Sequence, residues 1–198
     1  MAIRSLKTGS FSRSTQVGNT MIFPGSYESI ATVVVPSGGS SSVSFTSIPS
    51  NFQHLQVRAT LRDTGTTADW NNVYATFNSD TAANYSTHYL RAYGATADIY
   101  SSAFTSTSNM WLGLLPTSFS GYNSTYGTII FDVLDYKDTN KYKTLKTLNG
   151  FDGNSATYGY SNFGSGNWRS TTAVNTITIT ATGRTLAQYS HFALYGVK

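Results

Sequence analysis

Proton-transfer catalysis needs acids and bases brought together, and this chain holds few of either. Its 198 residues contain one glutamate, Glu28, eight aspartates and three histidines, His54, His88 and His191. Each histidine falls inside a predicted strand and none sits in a catalytic motif. Glycoside hydrolysis requires two carboxylates flanking one bond, yet most of the aspartates lie at strand ends or in turns. Asp132 is the exception, inside the apolar run 129–134, where a carboxylate reads as hydrogen-bonded or buried at an interface. Serine is abundant, but no Gly-x-Ser-x-Gly elbow is present, and Gly164-Ser165-Gly166 lacks that spacing. Cysteine is absent, which removes thiol chemistry and cysteine-based metal sites. The expectation is a protein without enzymatic activity and without a cofactor.

Two further clusters bear on binding. Asp135, Asp138 and Asn140 gather oxygen atoms of the kind that calcium takes. Lys137 and Lys141 interleave with them and oppose a cation, so the segment reads as a tight turn built on Asp138 and Asn140. Tyr85, Tyr89 and Tyr93 share one parity with Arg91 on a predicted strand. Such a row suits a protein partner or a sugar ring; cross-strand packing on a sheet accounts for it equally. The glycine-rich segment with Tyr158, Tyr160, Phe163 and Trp168 reads as a loop, either binding or packed on its own domain.

The elements that must carry these residues are strands. Ser and Thr make up 56 residues, with 14 Tyr and 17 Gly, a composition of pleated surfaces and turns. The run 55–62 alternates cleanly: Leu55, Val57, Ala59 and Leu61 on one face, Gln56, Arg58, Thr60 and Arg62 on the other. Similar runs begin near Ile30, Val43, Val73, Met110, Tyr142, Ile177 and Tyr189. Residues 129–134 are apolar on both faces apart from Asp132, which predicts a central strand covered on both sides. No window has helical periodicity. About nine to eleven short strands without helices predict an all-β fold, a single antiparallel β-sandwich over 25–198. The spacing does not choose a topology; the missing cysteines remove the usual immunoglobulin signature and favour a jelly roll.

Residues 1–24 differ from the rest. They are polar and end at Pro24-Gly25, but Ile3, Leu6 and Phe11 punctuate them, with Arg4, Lys7 and Arg13 supplying positive charge before the first acid. A disordered tail accounts for this composition; an extended arm that orders on an acidic neighbouring protein fits it as well, and the apolar residues favour the arm. The net charge of +4 is too sparse for a nucleic-acid arm. No apolar stretch of about 18 residues exists to span a membrane as a helix, and no secretory signal is expected.

Three stretches together carry a family resemblance: Arg13-Ser14-Thr15-Gln16-Val17 through Tyr27-Glu28-Ser29-Ile30, the block from Phe131 to Asp152, and the ending from Tyr189 to Lys198. They resemble small β-rich virion proteins of tailed bacteriophages, met as capsid decoration, cement or tail-associated components. The resemblance implies a structural role in the virion after assembly in a host cytoplasm. The implied partner is the major capsid protein or another virion protein, and the implied oligomer is a homotrimer, which a surplus of aromatics also suggests. The alternative is a tail- or head-associated fibre or recognition module that binds host-surface glycans through its tyrosines.

Overall fold

The computed structural model describes residues 26–94, 98–119 and 124–198, together with the backbone of Thr15–Val17 and Thr20–Ile22. Fourteen strands and no helix are found among them. They are β1 (Thr15–Val17), β2 (Thr20–Ile22), β3 (Tyr27–Val34), β4 (Ser42–Phe45), β5 (His54–Leu61), β6 (Trp70–Phe77) and β7 (Tyr85–Tyr93). The second half of the chain supplies β8 (Asp98–Thr107), β9 (Met110–Pro116), β10 (Gly127–Leu134), β11 (Lys143–Asp152), β12 (Gly159–Trp168), β13 (Ile177–Ala181) and β14 (His191–Val197). All pairings are antiparallel.

Two sheets form a sandwich. The large one has the order β3-β14-β5-β10-β11-β12-β7-β8, the small one β4-β13-β6-β9, and β1 pairs β2 as a separate ribbon. The sandwich expectation therefore holds, while this eight-and-four division carries no jelly-roll assignment. Within the 1–24 segment, Thr15–Val17 pairs antiparallel with Thr20–Ile22.

Alternation explains which residues enter the core. Leu55, Val57 and Leu61 of β5, Ile129, Phe131 and Val133 of β10, and Val73, Ala75 and Phe77 of β6 are all buried in one cluster between the sheets. Ile177 and Ile179 enter it from β13. Strand β9 is different, since every one of its residues is buried. It is the edge of the small sheet and lies across β10, β11, β12 and β7 of the large one. Met110, Leu112 and Leu115 belong to the main core. Trp111 and Leu114 belong to a second, aromatic cluster with Phe151 and Tyr160, flanked by Trp70, Tyr89 and Phe104.

Burying an edge strand leaves its backbone without water, so its polar groups must find partners in the protein. Inward-facing polar side chains of the large sheet supply them. The Thr147 hydroxyl donates to Leu112 O (2.8 Å), at the bulge between β6 and β9. Asn149 accepts from Leu114 N (2.8 Å) and donates to Leu114 O (2.6 Å) and Thr128 O (3.1 Å). Asn162 Nδ2 donates to Asn149 Oδ1 (2.8 Å).

One sequence expectation is corrected here. Strand β10 is covered on one face only: Ile130 and Leu134 remain exposed on the other. Its extra apolar residues are not core.

Candidate interaction surface

The exposed side of the large sheet can be built strand by strand from the register. Leu90 of β7 stands opposite Phe163 of β12, Phe163 opposite Leu148 of β11, and Leu148 opposite Ile130 of β10. These four apolar side chains therefore form a continuous line across four adjacent strands. Their exposures are 47% (Leu90), 47% (Phe163), 58% (Leu148) and 38% (Ile130). Cross-strand neighbours on one face have Cβ atoms about 5 Å apart, so the line is one patch rather than four scattered residues. A shallow apolar depression between Leu90, Ser101, Ala103 and Phe163 extends it toward β8.

Polar residues flank the line. The adjacent row runs His88, Ser165, Lys146, Asp132 and Gln56. Lys146 Nζ lies 5.7 Å from the centroid of the Phe163 ring, covering part of it with a cation–π contact. Asp132 accepts from Gln56 Nε2 (2.7 Å), so it faces outward and is hydrogen-bonded. Beyond β10 the surface becomes cationic: Arg58 lies between the rings of Tyr27 and Tyr195, at 5.8 and 5.7 Å, with Nε donating to Gln56 Oε1 (2.7 Å).

The tyrosine row singled out from sequence lies on the opposite face of β7, turned inward. Tyr85 is fully buried and stacks on Trp168 at 6.2 Å between centroids. That burial takes it off any interaction surface and pushes its phenol up to about 12. Tyr89 lies 4.2 Å from Trp111 and Tyr93 lies 4.6 Å from Tyr160. Arg91 is half-buried, with its guanidinium 4.8 Å from the Tyr100 ring. Much of the aromatic surplus is thus absorbed by the second core. The other residues proposed for partner binding, Ile3, Arg4, Leu6, Lys7, Phe11 and Arg13, lie outside the described residues.

The 135–143 turn holds its own positive charge. Asp138 Oδ1 accepts from Asn140 N (2.7 Å), closing an Asx-turn, and this bond lowers the Asp138 carboxyl. Lys141 pairs with Asp135, and this contact, followed by Gln53, holds the Asp135 carboxyl below its usual range. Lys143 is fully buried, and its ammonium donates to the carbonyls of Asp138, Lys141 and Thr171. A lysine thus occupies the place among carbonyl oxygens that a metal ion takes in a cation-binding loop. No group of three His, Asp or Glu arranged for a metal exists among the described residues.

Asp63 is also structural. Fully buried, it accepts from Gly65 N (2.8 Å) and Asn71 Nδ2 (2.6 Å), with Arg184 Nη1 at 3.8 Å. It ties the 63–69 loop to β6 and to the turn after β13.

No known protein family and no curated protein matches this chain.

Sequence reasoning missed the apolar line for a physical reason. Phe163 sits among glycines and reads as part of a loop, Ile130 reads as core, and Leu148 falls in a strand run whose faces the sequence does not assign. Only the register shows that the three are neighbours and face outward.

Proposed function

We propose that the chain is a non-enzymatic structural protein of a tailed-bacteriophage virion, a decoration or cement protein that binds the shell and stabilises it. The observation that supports this reading is the apolar line from Leu90 to Ile130 on a rigid, hydrogen-bonded sheet. An open apolar patch of this kind marks a contact surface with other protein. A sheet face fixes its geometry in advance, which lowers the ordering cost of assembly. The 1–24 segment, with its apolar residues and Arg4, Lys7 and Arg13, is the proposed link to the major capsid protein.

The test is localisation. Particles assembled without this protein should lack one density in electron micrographs, lose resistance to heat or osmotic shock, and recover both on adding the purified chain. A chain lacking residues 1–24 should fold yet fail to bind. Full rebinding by the truncated chain would move the attachment to the body. Absence of the chain from intact particles would overturn the role itself.

One observation favours the alternative, recognition of host-surface glycans. Tyr189 is 69% exposed and holds a φ of 68°, a strained backbone for a bulky residue that is met at functional positions. Binding of host polysaccharide that Tyr189→Ala abolishes would support that reading over shell attachment.

A further inference from the structure

Resting on the reading of the outer face as an assembly surface, we infer that what covers it is a second copy of this chain, packed sheet to sheet about a two-fold axis. The axis lies between the two copies, parallel to the strands, and runs over the gap between β11 and β12.

The strand order suggests this operator. The six strands β5-β10-β11-β12-β7-β8 divide evenly about that gap. A two-fold there sets β11 on the second copy's β12, β10 on its β7, and β5 on its β8. Because the rotation preserves height along the strands, each residue meets the copy of the residue level with it across the sheet. Leu148 then faces Phe163 of the second copy, and Ile130 faces its Leu90. Both apolar pairs are level by the existing register. The patch is self-complementary, as an isologous interface must be.

Charge agrees with shape. In the adjacent row the same operation sets Asp132 opposite the second copy's His88, a carboxylate against an imidazole donor. Lys146 is set opposite Ser165, and the two copies of Lys146 lie level with each other, one strand spacing of about 4.8 Å apart across the axis, with each ammonium drawn over a Phe163 ring. The other flank carries Gly150 and Ser161, level with each other across the sheet, and these small residues let the two backbones approach. Arg58, held between Tyr27 and Tyr195, falls at the rim, where polar groups belong.

The area is sufficient. Six strands of eight to ten residues, at a spacing of about 4.8 Å and a rise of about 3.4 Å, span roughly 24 by 31 Å, about 750 Å². A stable complex buries about 800 Å² on each partner. Aligned sheets cross at about 30°, so the pairs nearest the axis, Leu148 with Phe163, make the firmest contact.

The experiment measures the mass of the full chain by light scattering at micromolar concentration. The expected value is twice the chain mass of 21.5 kDa. Leu148→Asp should halve it, while Tyr142→Ser, an exposed aromatic off the patch, should leave it unchanged. Circular dichroism checks that each variant folds. His88 gives an independent arm that leaves the apolar line intact. His88→Asp, which sets like charges opposite each other, should weaken association at least about tenfold, and His88→Lys should not. A monomeric or trimeric wild-type mass, or a dimer indifferent to both Leu148→Asp and His88→Asp, overturns the pairing. A monomer that still binds stripped particles removes the pairing and leaves the structural role standing; a dimer that binds no particle does the reverse.

Discussion

The carboxamide of Asn149 pairs with both backbone polar groups of Leu114, accepting from its N–H at 2.8 Å and donating to its carbonyl at 2.6 Å. A side chain of the large sheet thus takes the place of a neighbouring strand along the buried edge of β9. Gly113, next in the chain, has a φ of 142°, and a Cβ there would lie 2.3 Å from Asn149 Oδ1. The glycine is required for the asparagine to come this close.

Removing the carboxamide strands three backbone groups in a dry interior. Asn149→Ala should cost about 2–4 kcal/mol, read as a lower urea midpoint at unchanged slope. Gly113→Ala should be at least as costly, from both strain and collision. In the Asn149→Ala background the collisions with Oδ1 and Cγ are gone and only the contact with Cβ at 2.8 Å remains, so the two losses should sum to more than the double variant shows. Strict additivity would separate the two residues.

Core truncation follows burial. Val57→Ala and Ile179→Ala, both at buried positions, should each cost roughly 1–4 kcal/mol. Thr178→Ala, which loses only an exposed hydroxyl contact to Ser44, should stay within about 0.5 kcal/mol. Equal effects at 178 and 179 would mean that the faces of β13 are reversed.

Alkaline behaviour depends on Tyr85. Its folded value of about 12 exceeds the ordinary 10.0, so the folded chain holds this proton more tightly than the unfolded one. Sign follows from linkage: the contribution is complete below pH 10 and is lost as pH rises toward 12. Burial also pushes the Tyr74 and Tyr136 phenols up, so absorbance titration near 295 nm should find a late step, accompanied by unfolding, that Tyr85→Phe makes smaller. Ionisation of every tyrosine near 10, with the fold intact, would contradict it.

Lys143→Met keeps much of the side-chain volume and removes the donors. The carbonyls of Asp138, Lys141 and Thr171 then lose their partner, at a cost of about 2–4 kcal/mol. An unchanged urea midpoint would show that the ammonium contributes nothing there.

Legibility varied with what each pattern reports. Strand β5 was plain because Leu55, Val57 and Leu61 alternate with polar residues, and a half-wet strand has that signature. Strand β12 was hidden because its inward positions carry Gly164 and Gly166, while Phe163 faces out. Gly166 makes room for β9, since a Cβ there would meet Met110 Sδ at 2.1 Å, and Gly164 makes room for the neighbouring β11, since a Cβ there would meet Thr147 Cγ2 at 2.7 Å. The hydrophobic pattern is inverted where inward side chains of other strands fill the space above a strand. Strand β8, rich in Ser and Thr, carries too little contrast to be read. For the candidate surface, the residue types were visible and their adjacency was not, since register is a property of pairing between distant segments.

The Lys143 ammonium has a consequence for where the protein can work. A loop that borrows calcium for its shape loosens when the ion is scarce and tightens when it is plentiful, so its strength follows the surrounding fluid. Here the countercharge is covalently part of the chain and is in place once the turn folds. The Lys143 part of this turn's grip is therefore the same in a calcium-poor medium and in the presence of a chelator, while the exposed Lys141–Asp135 pair weakens with salt.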